Sequence, residues 1–182
     1  MILAVIIALV ILLLLWLIST QRKLVALDEN ITNALSQIGV QLSSRFDALT
    51  SLLELTQGYA EHESETLRET IAARRSVITA ASSAADVAEQ ENVITEALGK
   101  ISMVAEQYPD LKANQNYMQT MSAVEKYEDS LRAARLVYND SVTKLNRTVR
   151  MFPTSLVAGM LGFKMRDYLD TEQEKTARPV MK

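Results

Sequence analysis

Residues 117–152 read YMQTMSAVEKYEDSLRAARLVYNDSVTKLNRTVRMF. Within them Tyr117, Met121, Val124, Glu128, Leu131, Arg135, Tyr138, Val142, Leu145, Val149 and Phe152 follow at alternating steps of four and three. That spacing keeps returning to one face of a helix, so it predicts one long helix packed lengthwise against others. Two seam positions are charged, Glu128 and Arg135. An unpaired buried charge is costly, so a seam holds such residues only by pairing them. A polar layer at mid-height of a helical bundle is therefore expected.

On the N-terminal side, Pro109 ends a preceding helix and Asn114 or Asn116 caps the seam helix. Residues 61–107 predict a second long helix. Leu67, Ile71, Arg74 and Ile78 open its seam, and Ile94, Leu98, Ile101, Ala105 and Tyr108 close it. The small residues of Thr79 to Ala88 mark a soft spot or kink. From Lys23 to Gln57 another face recurs through Leu24, Leu27, Ile31, Leu35, Ile38, Leu42, Arg45, Leu49, Leu52 and Thr56, with Gly58 as a stop. Gly39 inside it should cost up to ~1 kcal/mol relative to Ala.

Met1 to Ile18 is an unbroken apolar run, MILAVIIALVILLLLWLI. As a helix it spans ~27 Å, close to a ~30 Å hydrocarbon core. Trp16 stands near its end as an interfacial anchor, and Arg22 and Lys23 follow at once. A cleaved signal peptide fits less well, because the run exceeds the usual ~7–15 apolar residues and Ser19-Thr20-Gln21 is a poor cleavage site. The positive-inside rule then puts the rest of the chain in the cytoplasm, with a very short outer N-terminus.

On the C-terminal side, Pro153 stops the seam helix or starts a fourth segment, Thr154 to about Leu169. Leu156, Val157, Met160, Leu161 and Phe163 make it apolar. They read as the close of the bundle, or as a contact with a neighbouring subunit or the membrane. The expected organisation is a transmembrane anchor (1–21), a cytoplasmic helical bundle (22–169) and a polar tail (170–182). The fold class is all-α: a long antiparallel up-down bundle of three long helices and a shorter fourth, in which the first helix leaves the membrane, the second returns and the third leaves again.

Composition agrees: 182 residues carry only five Gly and three Pro. The net charge of −3 is mild and the basic residues are scattered, which argues against nucleic-acid binding. Without cysteine no disulfide framework exists. The single histidine, His62, lies in Glu61-His62-Glu63, too few ligands for a zinc site and with no nucleophile signature beside it. No catalytic residue, cofactor or metal is expected. Arg45, Arg74, Glu128, Arg135 and Tyr138 are the expected polar layer, with Glu63 and Glu91 as further members. The preferred role of this layer is to fix helix register, over binding an anion inside the bundle.

The blocks QLSSRFD (41–47), GYAEHESETLRETIAARR (58–75), YPDLKANQNY (108–117), YEDSLRAARLVYNDSVTKLNR (127–147) and FPTSLVAGMLGF (152–163), in this order, resemble the bacterial LemA family. The resemblance implies a single-span inner-membrane protein with a helical bundle in the cytoplasm and no established enzymatic activity. Matching positions include Arg45, Arg74, Glu128, Arg135, Tyr138, Asn139, Asn146 and Pro153. Family members usually carry two Arg before a Leu-Ile-Pro-Asn-Leu block; at 44–52 one Arg and the Pro are missing, so the first helix should run straighter here.

Together these readings predict a membrane-anchored structural or scaffolding protein acting through bundle contacts as a homo-oligomer. The alternative is a membrane-remodelling or envelope-stress coat, and an enzyme is the least supported class. The expected partners are the lipid bilayer, other copies of the chain, and an unidentified membrane or cytoplasmic protein.

Overall fold

Helix α1 (Ile2–Gln57) is continuous for 56 residues, through both the apolar run and the 44–52 stretch. The structure, a computed structural model, describes residues 1–59 and 78–169. Up to Ile18 the side chains of α1 are almost all exposed, and it is the one described helix long and apolar enough to cross a membrane. From Leu24 one stripe is buried, through Ile31, Leu35, Ile38, Leu42, Leu49 and Leu52. The anchor and first bundle helix are thus one element. Gly58 caps it with right-handed angles, so the glycine is not there for a left-handed turn.

Within the described part of 61–107, the soft spot or kink expected at Thr79 to Ala88 is a full break in the helix. Residues 78–83 are not helical, and α2 spans Ala84–Gln107. Local hydroxyls take the backbone away from the helix: Thr79 N donates to Ser82 Oγ and Ala81 N to Thr79 Oγ1. Ser83 then caps α2, as Asp86 N donates to Ser83 Oγ (3.2 Å) and Ser83 N donates to Asp86 Oδ2 (2.7 Å). The backbone and hydroxyl bonds from Ser83 hold the Asp86 carboxyl below its usual range. Pro109 opens a single turn, α3 (Pro109–Lys112), where a plain connection was expected, and Leu111 there is fully buried. Asn114 Oδ1 accepts from Asn116 N and Tyr117 N and starts α4 (Gln115–Arg150), the seam helix. The last helix, α5, covers only Thr154–Leu161. Gly162, at φ 78°, stops it in the left-handed region that suits glycine. Residues 163–169, expected to be helical, form an extended strap.

Helix direction also differs from expectation. Arg45 on α1 meets Glu128 on α4, and Asp28 on α1 meets Arg166, which is itself fixed to Asn146 of α4. Each step forward along α4 is therefore a step back along α1, and the third long helix returns toward the membrane end. In contrast, Ile78 lies against Gly39 and the Tyr108 ring lies 6.4 Å from that of Tyr59, so α2 runs parallel to α1. The core lies between α1, α2 and α4, with Phe46, Ile94, Ile101, Leu131 and Leu145 fully enclosed.

Candidate functional site

Glu128 and Arg135 stand one heptad apart on α4 and reach in different directions. Glu128 accepts an ion pair from Arg45 of α1 at 2.5 Å. Arg135 pairs with Glu91 of α2. A single seam thus ties α4 to both neighbours, with an acid toward one and a base toward the other. The pairs border a cleft of about 740 Å³ whose other walls include Asn92, Thr95, Leu98, Met121 and Leu169. Both cations already face carboxylates, an arrangement suited to holding helices in register. Arg74, Glu63 and His62 lie outside the described residues. Among the described residues no three His, Cys, Asp or Glu side chains are grouped to hold a metal.

Tyr138, expected in this layer, serves a different structure. Its hydroxyl donates to the carbonyl of Asp167 in the strap (3.1 Å). Burial pushes its phenol pKa up; Arg166 opposes that shift and Asp167 adds to it. Beside it, two asparagines hold the strap by its backbone. Asn139 Nδ2 donates to Leu169 O (2.8 Å), and Leu169 N donates to Asn139 Oδ1 (2.9 Å). One heptad on, Asn146 Nδ2 donates to Arg166 O and Arg166 N donates to Asn146 Oδ1, both at 2.9 Å. A primary amide carries the same donor and acceptor as a peptide group, so each asparagine imitates a neighbouring β-strand. Spacing makes this work: seven helical residues advance ~10.5 Å and three extended residues ~10 Å. Asn139 and Asn146 were legible as family-matching positions, but their role was not, because strand-like pairing from a helix leaves no periodic signal.

At the membrane end, Met1 and Ile18 are exposed, Trp16 is half-buried, and Arg22 and Lys23 are exposed. Thr20 and Leu24 of α1 are buried, and α5 packs on both α1 and α4. Of the apolar residues expected at a contact, Leu156, Met160 and Leu161 are exposed. Val157 and Phe163 are not available for one: Val157 is buried and Phe163 packs against the core.

An apolar span running unbroken into a seam-packed bundle defines a membrane-associated all-α protein. The LemA family model matches residues 34–182, and the chain belongs to the LemA family. Protein LemA of Metamycoplasma hominis is 30% identical over 135 residues, covering 74% of this chain and 62% of that protein. Magnetosome protein MamQ 2 of Paramagnetospirillum magneticum is 32% identical over 81 residues, 44% of this chain and 29% of its own length. Magnetosome protein MamQ of Magnetospirillum gryphiswaldense is 29% identical over 72 residues, 40% of this chain and 26% of its own length. The match thus spans under two thirds of each of these relatives.

Proposed function

We propose that the chain is a structural protein of the bacterial inner membrane, in which rods held by their anchors associate side by side as a homo-oligomer. Arg22 and Lys23 at the exit of the span support a cytoplasmic bundle. One observation carries the self-association. Between α1 and α4 lies a shallow groove of small residues, Ser36, Ser130, Ala133 and Ala134, flanked by exposed Val40 (62%) and Val137 (53%). Small side chains let a second helix approach closely, and the two valines supply apolar area. A second copy is the occupant that suits it, because anchors in one membrane already hold copies parallel and at equal height.

The native chain has no cysteine, so single Val40→Cys and Val137→Cys variants give clean crosslinking probes. Oxidation in native membranes should give dimers from both and none from Glu106→Cys at the distal end of α2. Monomers alone from both groove variants would refute the groove as the contact. A second reading, a membrane-remodelling coat, draws on the position of α5 beside the exit of the anchor. Unchanged vesicle shape after reconstitution of the full chain would count against it.

A further inference from the structure

The return of α4 toward the membrane end has a consequence for α5. Continuing the register set by Arg45–Glu128 and Asp28–Arg166 brings Arg150 level with the residues around Leu24, just below the span. Helix α5 follows directly and packs on both α1 and α4 there. Its inner face, Val157 and Ala158, is buried. Its outer face is not polar, as a solvated surface helix should be: Leu156 is 62% exposed and Met160 88%, and Phe152 just before it 79%. At about the same height stand exposed cations, Arg22 and Lys23 from α1, Arg147 and Arg150 from α4, and Lys164 after α5, beside exposed Glu29 and the Arg166–Asp28 pair. Apolar residues beside Lys and Arg at the foot of a membrane span match the boundary between acyl chains and anionic headgroups.

We propose that α5 is a second membrane-contact element, lying in the headgroup region of the bilayer that α1 spans. Phe152, Leu156 and Met160 reach the acyl boundary and the cations beside them meet anionic lipid. The occupant is lipid, because the face lies at the foot of the exposed apolar span and the charges beside it have the sign that lipid headgroups complement. The bundle is then held at two points, and its tilt against the membrane is fixed rather than free. This inference rests on reading Met1 to Ile18 as a retained span.

The test uses the full chain in vesicles of phosphatidylcholine and phosphatidylglycerol, with an environment-sensitive fluorophore on a single introduced cysteine. Leu9→Cys reports the span, Met160→Cys reports α5, and Met103→Cys, also on an exposed side chain, reports α2 away from the membrane. The Met160 probe should be quenched by acyl-brominated lipid and shielded from aqueous iodide, as the Leu9 probe is, while the Met103 probe shows the reverse. In vesicles of phosphatidylcholine alone, the Met160 probe should lose much of its lipid quenching and the Leu9 probe none. A Met160 probe that behaves like Met103 while Leu9 stays embedded overturns the inference and leaves the span intact. Shielding of Met160 from iodide and brominated lipid alike overturns it in favour of a second copy on this face. A Leu9 probe open to iodide overturns the span and the inference together.

Discussion

Replacing Glu128 by alanine removes the α4 carboxylate from a guanidinium that has little access to water. The Arg45 side chain is 7% exposed and that of Glu128 24%, with nitrogen and oxygen 2.5 Å apart. Breaking a fully buried pair by deleting one partner costs about 3–5 kcal/mol. Glu128 is the more exposed partner, so water can enter where the carboxylate stood, and about 2–3 kcal/mol is the expected loss. With a slope of ~2 kcal/mol per molar, the urea midpoint should fall by roughly 1–1.5 M. The assay is urea unfolding of the full chain in mild detergent, followed by circular dichroism. Lys144→Ala is the control, because its partner Asp140 is exposed and such a pair contributes at most about 0.5 kcal/mol. The double replacement Arg45→Met with Glu128→Leu removes both charges together and should come back close to the native midpoint. If Glu128→Ala moves the midpoint no further than Lys144→Ala, the pair is not buried in the sense argued. If the double variant loses as much as the two single changes added, the charges are not coupled.

Three further outcomes are expected. Gly39→Ala should destabilise by about 1–2 kcal/mol despite its better helix propensity, since its Cβ would stand 2.4 Å from the Ile78 carbonyl oxygen; Gly99→Ala, with nothing within 4 Å, should stabilise by up to ~1 kcal/mol, and urea midpoints compare the two. Asn139→Ala should free the strap, costing about 1–3 kcal/mol for the two bonds to buried Leu169, and it should speed tryptic cutting at Lys164 and Arg166 well beyond the native rate. Strap attachment should also weaken at high pH. Burial raises the Tyr138 phenol pKa, so folding favours the neutral form; that contribution is complete below the ordinary phenol pKa of ~10 and is lost as pH rises through the folded value, and a Tyr138→Phe chain should lack this step in a tryptic pH series.

The seam of residues 117–152 was legible because burial repeats along a helix. Tyr117, Val124, Leu131, Tyr138, Val142 and Leu145 are buried as the pattern requires, and only the final member, Phe152, falls outside the helix. Direction was not legible, because a heptad pattern is the same read against a parallel or an antiparallel neighbour. Gly39 looked like a propensity loss, whereas in space it is the opening through which the backbone at Ile78 reaches α1. Ser83 and Asp86, three residues apart, carry a local start signal for α2, and it sits inside the small-residue stretch that reads as a soft spot. The ion pairs are a mixed case. The seam placed Arg45, Glu128 and Arg135 inward, but which cation meets which acid depends on helix direction and on side-chain reach.

Direction also explains the apolar end of the chain. Had the third long helix left the membrane, Leu156 and Met160 would sit at the distal tip, where an exposed apolar helix has nothing to cover it. Returning, α4 delivers them to the foot of the span and brings Arg147 and Arg150 to the height of Arg22 and Lys23. The strap then runs back up α4, held by Asn146 and Asn139, and Arg166 crosses to Asp28 of α1. The strap thus joins the two helices that bracket α5. This gives the asparagine clamp a role beyond stability. If it holds α5 at the membrane, Asn139→Ala should raise iodide access to a probe at residue 160 while leaving a probe at residue 9 unchanged. A strap cut faster by trypsin with no change at residue 160 would separate the two roles and leave α5 held by Val157 and Ala158 alone.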